Sequence, residues 1–211
     1  RDAALVSPHL DRYERAMRAF LERALPYTPL IEEVDENGHL FLDLTGTGRL
    51  FGPPPDVAWR IRKETRAELG FDPIWALAAN KLVAKTATRI VKPVGEYIVE
   101  GGSEEEFLRP LPLVLLPGLE LEELSRLREF HLRRVGDLTG LSLPQLEVAL
   151  GRPGRGRYLF EAVRGIDPSP VLPVGRKRPV VAVDHSFGDE GSEGDTADLS
   201  GLEGALYGMV E

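Results

Sequence analysis

The 211-residue sequence predicts an α+β fold, in which a small β-sheet with packed helices is followed by an all-helical region. Residues 30–44 alternate apolar and polar side chains around Asn37-Gly38, a pair well suited to a tight hairpin turn. Apolar residues recur at helical spacing in further segments before residue 100. From Phe107 onward the alternating pattern is absent, and Pro-Gly and glycine-containing breaks separate short helical segments.

The composition excludes several classes of protein. At 42% hydrophobic residues the chain has material for one or two domains with a real core. No run approaches the ~20 apolar residues that a membrane span needs, and no basic-then-apolar secretory leader is present. The absence of cysteine excludes disulfides and thiolate metal sites and is typical of a reducing compartment. We therefore predict a cytoplasmic protein without a membrane partner.

The net charge of −8 belongs to the C-terminal end of the chain. No lysine or arginine follows Arg178, whereas eight of the 34 acidic residues do. The other 26 acids balance the 26 basic residues, so residues 1–178 are neutral overall. Within them, residues 145–178 hold seven bases against three acids, an excess that favours phosphate binding. A solvated basic face is the alternative interpretation of the same excess.

The first elements of the chain are a helix and the hairpin. The helix is predicted over residues 8–25, with Ser7 as its N-cap, and it ends at Pro26. After the hairpin, the segment Thr45–Gly48 breaks the second strand. Leu50-Phe51-Gly52 then adds an apolar plug.

The next part of the chain predicts helices that alternate with short strands. A helix runs from Asp56 to Leu69 and ends at Gly70, which suits a left-handed cap. A second helix is predicted over residues 81–91, begun by Asn80, between strands at Pro73–Ala79 and Tyr97–Val99. We expect the first of these helices to have a solvated basic face, formed by Arg60, Arg62, Lys63 and Arg66. We also expect a capping box, formed by Ser103 and Glu106, at the start of a later short helix.

Two blocks of the sequence resemble a known family. FLDLTGTGRLFG (residues 41–52) and AANKLVAKTATRIVKPVGEYIV (residues 78–99) resemble, in order and spacing, segments of the Y-family (translesion, DinB/ImuB-like) DNA polymerases. YTPLIE (residues 27–32) and GIDPSPV (residues 165–171) resemble two further segments of that family. The resemblance implies a fragment that lacks the N-terminal palm, the fingers and most of the little finger.

The resemblance also implies how the chain is divided. It predicts a partial palm domain over residues 1–106 and a thumb with a helix-hairpin-helix over residues 107–171. A linker over residues 172–183 would follow, and then the start of a little-finger domain over residues 184–211. Helix-hairpin-helix elements present backbone N–H groups and helix N-termini to DNA phosphates.

The expected catalytic acids are displaced in this sequence. Polymerases of the family hold two Mg²⁺ ions with carboxylates, two of which stand side by side directly before the LD-x-TG strand. Gly38 and His39 occupy those two positions here. The chain does have the adjacent acids Asp35 and Glu36, but they come three residues too early and are interpreted as solvated turn residues. We therefore predict no catalytic residue, no metal site and no cofactor in this chain, with Mg²⁺ as the cofactor of active family members.

The basic residues of the family pattern are retained. The resemblance assigns Lys92, with Lys85 and Lys81, to the phosphates of a nucleotide; an ordinary lysine at a helix C-terminus is the alternative for Lys92. We predict DNA contacts at Arg152, Arg155 and Arg157, and we expect their reversal to glutamate to leave the fold intact. Gly118 begins the first hairpin of this region. The hairpin departs from the family pattern because three acids follow it, namely Glu120, Glu122 and Glu123. We therefore predict that it makes at most a weak DNA contact.

Retained bases without the acids favour binding without chemistry. The predicted function is that of a non-catalytic, ImuB-like accessory subunit in translesion synthesis and DNA damage repair. Its predicted partners are primer–template DNA, bound without regard to sequence, and an active polymerase, a sliding clamp or other mutasome subunits. An active translesion DNA polymerase is one alternative. A helix-hairpin-helix scaffold that binds only protein is the other.

Overall fold

The computed structural model describes residues 9–35, 38–152 and 154–175. The chain divides into two compact units, Arg1–Arg176 and Lys177–Glu211, and the described residues all belong to the first. The predicted N-cap at Ser7 and the predicted little-finger segment over residues 184–211 lie outside the described residues.

The N-terminal elements form one small apolar core. Helix α1 (Leu10–Ala24) and helix α3 (Pro54–Leu69) pack with a hairpin of strands β1 (Ile31–Asp35) and β2 (His39–Leu42). The strands are antiparallel, which confirms the predicted hairpin, and β2 ends two residues before Leu44. The buried members of this core are Ala24, Ile31, Val57 and Ile61.

The segment after the hairpin is a short helix, α2 (Gly48–Phe51). Phe51 packs edge-to-face on Tyr27, with ring centroids 5.1 Å apart, so this half of the predicted apolar plug is confirmed. Leu50 is 81% exposed, and the prediction was wrong for it. In a single helical turn, adjacent side chains point in different directions, and only one of these two reaches the core.

Helix α3 ends at Gly70 in the left-handed conformation, as predicted (φ 76°). The prediction of a wholly solvated basic face was wrong for Arg62, whose side chain is only 15% exposed. Its guanidinium donates to Asp72 at 2.6 Å and to Glu96 at 2.8 Å. This arginine therefore ties α3 to the strands that follow it.

Those strands form a separate β–α–β unit. Strand β3 (Trp75–Leu77) and strand β4 (Glu96–Ile98) are parallel neighbours, joined by helix α4 (Lys81–Val91). Asn80 is the N-cap of α4, as predicted, and its side-chain oxygen accepts from the Val83 N–H at 3.0 Å.

From residue 104 onward the named elements are helical. They are α5 (Glu104–Leu108), a 3₁₀ turn (Leu113–Leu115), α6 (Leu121–Glu129), α7 (Val135–Thr139), α8 (Leu143–Leu150) and α9 (Arg155–Ala162). The predicted capping box at the start of α5 was wrong, because the Ser103 side chain makes no capping hydrogen bond. The Gly102 N–H instead donates to the carboxylate of Glu104, at 2.9 and 3.0 Å.

The second apolar core joins α4 to these helices. It contains Val83 and Ala87 of α4 together with Val99, and it continues through the buried leucines of the helical region: Leu108, Leu127, Leu138, Leu146 and Leu159. Apolar packing is thus continuous across residues 106 and 107, where the sequence predicts a domain boundary. In the part of the chain described here, no helix is long and apolar enough to cross a membrane.

Candidate functional site

Two loops of the helical region, each taken with the first turn of the helix that follows it, lie against each other and form one surface. This surface is here called the paired loops (residues 117–123 and 151–158, without 153). Arg155 donates to the Gly118 carbonyl at 2.6 Å, and the Tyr158 hydroxyl donates to the Pro117 carbonyl. Burial raises the pKa of the Tyr158 hydroxyl. Gly118 has a φ of 79°, and a Cβ there would collide with Tyr158. The glycine therefore permits the close approach of the two loops.

Arg155 and Glu123 make a largely buried ion pair at the centre of the paired loops. The Glu123 side chain is 1% exposed, and Arg155 binds both of its oxygens, Nε to Oε1 at 2.7 Å and Nη2 to Oε2 at 2.8 Å. The hydrogen bonds from Arg155, and then the one from the Glu120 N–H, hold the pKa of Glu123 below its ordinary value. Releasing Arg155 would leave a buried charge unpaired, so we assign this pair a structural role.

The other two predicted DNA-binding arginines are exposed. Arg152 binds Glu120 at 2.6 Å and Glu122 at 3.3 Å, and these side chains are 44–57% exposed. Such surface pairs contribute about 0–1 kcal/mol, so Arg152 can exchange its carboxylates for phosphates at little cost. Arg157 is exposed and makes no ion pair with any residue that the structure describes.

The structure thus brings together residues that the sequence had treated separately. The acids after Gly118 were expected to repel a phosphate, and the arginines near residue 155 to attract one; they neutralise each other instead. The structure changes the expectation for reversing all three arginines: we now expect Arg155→Glu to disturb the fold, because a glutamate there would face the buried Glu123.

Lys81 has a structural role that the sequence did not predict. Its side chain is 8% exposed, and its ammonium binds Glu32 of β1 and the Pro170 carbonyl, at 2.8 and 2.7 Å. The same Glu32 carboxylate accepts from the Leu172 N–H at 3.0 Å. These two contacts commit the Lys81 ammonium inside the protein and argue against its predicted binding to a phosphate. The lysine joins the hairpin, α4 and residues 170–172.

The other two predicted phosphate-binding lysines are more accessible. Lys85 is half-buried on α4, and Lys92 is the exposed C-cap of that helix. Neither is joined to a carboxylate in an ion pair within the described ranges. Their assignment to a nucleotide's phosphates stays a prediction.

The hairpin register places Asp35, one of the two displaced acids, across from strand β2. Asp35 is the last residue of β1 and pairs across the hairpin with His39, the first residue of β2. A register irregularity lies between Glu33 and Asp35, and Gly38 has a φ of 81° in the turn. Glu36 lies outside the described residues. Asp35 is therefore on the opposite strand from His39, one of the two positions at which the family pattern is expected to place its paired carboxylates.

The donor set of this hairpin does not fit a Mg²⁺ site of the family type. Magnesium takes oxygen ligands, and Gly38 and His39 offer no side-chain oxygen. Over residues 9–35, 38–152 and 154–175, no three His, Asp or Glu side chains are grouped so that they could hold a metal ion. We derive no catalytic step through a metal in this chain.

Sequence reasoning missed a second basic segment, in and after α6. Residues 126–134 contain four arginines in nine positions: Arg126, Arg128, Arg133 and Arg134. Charge density alone was the available signal. Among the described residues, only the Arg126 side chain of these makes an ion pair, with Glu122 at 3.4 Å, whereas the backbone N–H groups of Arg133 and Arg134 both donate to the Asp137 carboxylate at 2.8 Å.

The sequence matches known proteins over most of its length. Residues 1–89 match the impB/mucB/samB family. DNA polymerase IV of Desulfatibacillum aliphaticivorans is 34% identical over 80% of this chain and 42% of its own length. DNA polymerase IV of Halorhodospira halophila is 33% identical over 99% of this chain and 56% of its own length. The chain thus spans about half the length of these relatives.

Solved structures share the fold. The insertion ternary complex of Dbh DNA polymerase superposes with a TM-score of 0.69 at 22% identity, over 80% of this chain and 49% of that one. DinB from Sulfolobus solfataricus gives the same TM-score and coverage at 21% identity. At such identities the likeness bears on the fold alone.

Proposed function

This chain is a Y-family-DNA-polymerase-like protein, and from that premise we propose that it binds primer–template DNA in translesion synthesis without carrying the polymerase chemistry itself. The observation that carries the proposal is the hairpin register. Gly38 and His39 stand where the family pattern needs paired carboxylates, while Asp35 lies across the hairpin from them. The chain would act as an accessory, ImuB-like subunit beside an active polymerase.

DNA binding is supported by the exposed cations and by the names of the relatives. The relatives are named as DNA polymerases. In this chain Arg152 and Arg157 are exposed on the paired loops, and Lys92 is exposed at the end of α4. Contacts of this kind go to the phosphate backbone and carry no sequence information, so we propose binding that is independent of DNA sequence.

The test of DNA binding is fluorescence anisotropy with a labelled primer–template at several salt concentrations. We expect affinity to fall as salt rises, because phosphate contacts release counterions. Changing both Arg152→Glu and Arg157→Glu should weaken binding and flatten the salt dependence. The matched control is Arg15→Glu with Arg18→Glu, two exposed arginines of α1, which should bind like the unchanged chain. Equal affinity of both double variants at low salt would remove the paired loops from the proposal.

The test of chemistry is primer extension with all four nucleotides and either Mg²⁺ or Mn²⁺. We expect no incorporation by this chain, because the carboxylates that hold the ions in the family pattern are absent from their positions. The names of the relatives favour the second candidate, an active translesion polymerase. Extension that is abolished by Asp35→Ala would establish that candidate and show that the hairpin keeps a catalytic acid in a shifted register.

A further inference from the structure

A groove on the helical region has an apolar floor and a basic rim. It has a volume of about 280 Å³ and is bounded by the 3₁₀ turn, α6 and the segment between α6 and α7. Leu113, Leu124 and Leu132 form the floor, and Val114, which is 55% exposed, lies at the edge. A cavity of about 150 Å³ lined by apolar side chains holds a benzene ring, so this groove has room for one large apolar side chain.

The rim carries two uncommitted cations. Arg128 of α6 and Arg133 both line the groove and are exposed, and neither guanidinium is joined to a carboxylate in the part of the chain that the structure describes. Two arginines of the paired loops contrast with them, because Arg152 and Arg155 are paired with glutamates. No carboxylate lines the groove. The surface thus combines an apolar floor with unbalanced positive charge.

We propose that this groove docks an acidic peptide segment of a partner protein, with one large apolar side chain on the floor and flanking carboxylates on Arg128 and Arg133. Charge complementarity selects an acidic partner, because two guanidiniums gain bidentate acceptors there. The apolar floor selects a peptide over a nucleic acid. Single-stranded nucleic acids bind through bases stacked on aromatic rings, and no aromatic residue lines the groove. This surface is separate from the paired loops, and the proposal goes beyond the DNA-binding function.

The probe is a fluorescein-labelled synthetic peptide in which a Leu-Phe pair is flanked by glutamates. In two matched peptides, glutamine replaces each glutamate or Ser-Ser replaces Leu-Phe. A labelled oligothymidylate serves as the nucleic-acid arm. Anisotropy is measured with the full chain and with three variants of it. Arg128→Glu with Arg133→Glu reverses the rim, Arg128→Gln with Arg133→Gln neutralises it, and Arg15→Glu with Arg18→Glu is the control of equal charge change.

We expect the acidic Leu-Phe peptide to bind the full chain at least about tenfold more tightly than either matched peptide, since both charge and apolar burial contribute. Both rim variants should lose the preference over the glutamine peptide, and the α1 control should keep it. Thermal unfolding should be the same for the neutralised rim and the full chain. Equal affinity for the three peptides, or no binding by any, would overturn the proposal. Oligothymidylate binding that is lost on neutralising the rim would assign the groove to nucleic acid instead.

Discussion

Replacing Arg155 by alanine should destabilise the chain by about 2–4 kcal/mol, because the change leaves the buried Glu123 carboxylate without its charged partner. The carboxylate loses two hydrogen bonds from the guanidinium, at 2.7 and 2.8 Å, and keeps one from the Glu120 N–H, at 2.9 Å. The Gly118 carbonyl loses its donor as well. The retained hydrogen bond and the partial exposure of Arg155, 31%, keep the expected loss below the upper limit for breaking a buried pair.

The assay is urea denaturation of the full chain, followed by far-ultraviolet circular dichroism at several pH values. Arg155 lowers the pKa of Glu123, so the pair contributes stability that is present above the unfolded-state pKa and is lost as the pH falls through the folded-state pKa. In Arg155→Ala, burial without a partner opposes ionisation instead. The difference in unfolding free energy should therefore be largest near neutral pH and should shrink toward about pH 4.

Two further variants make the experiment decisive. Arg157→Ala removes an exposed arginine from the same helix and should change stability by no more than about 0.5 kcal/mol. Adding Glu123→Gln to Arg155→Ala should recover part of the loss, because the buried charge is gone. The buried ion pair would be refuted as a stabilising contact if Arg155→Ala unfolded at the same urea concentration as Arg157→Ala.

Three other changes follow from the same contacts. Lys81→Met should lower the free energy of unfolding in urea by about 3 kcal/mol, because Glu32 stays buried without its charged partner. Adding Glu32→Gln should recover part of this loss, and no recovery would argue against the ion pair. Gly118→Ala should lower the stability by about 1–3 kcal/mol, because Tyr158 blocks the added Cβ and the φ of Gly118 is 79°. Gly101→Ala, where the added Cβ enters open space, is the control, and an equal loss in both variants would contradict this reason. Asn80→Ala should cost about 1–2 kcal/mol, because it removes both the cap of α4 and the hydrogen bond from the Asn80 amide to the Gly165 carbonyl at 2.7 Å. A neutral result would show that both contacts are dispensable.

Much of the fold could be predicted from local sequence signals. The period-two pattern and Asn37-Gly38 predicted the hairpin, and the cap at Asn80 and the end at Gly70 placed α4 and α3. The relationship to the Y-family polymerases also followed from the sequence, because each segment that carries it is short and continuous along the chain, and it was confirmed. Signals of this kind act over a few residues and are readable without a structure.

The candidate site depended on contacts between residues far apart in sequence. The charge count showed three acids near residue 120 and three arginines near residue 155, but it could not show that they face each other. Lys81 looked like a phosphate ligand until the fold placed Glu32 and the Pro170 carbonyl beside it. The groove between Arg128 and Arg133 likewise has no local pattern.

The sequence alone therefore determined most of the elements that form and which family the chain resembles, and it predicted that Gly38 and His39 replace paired acids. Only the tertiary structure decided which cations are available to a partner. An ammonium or guanidinium binds a phosphate or a carboxylate with little preference. Which of the two it binds depends on which acceptor the fold places nearest to it. In this chain that acceptor is an internal carboxylate for Arg155 and Lys81, whereas for Arg128 and Arg133 no carboxylate lines the same groove.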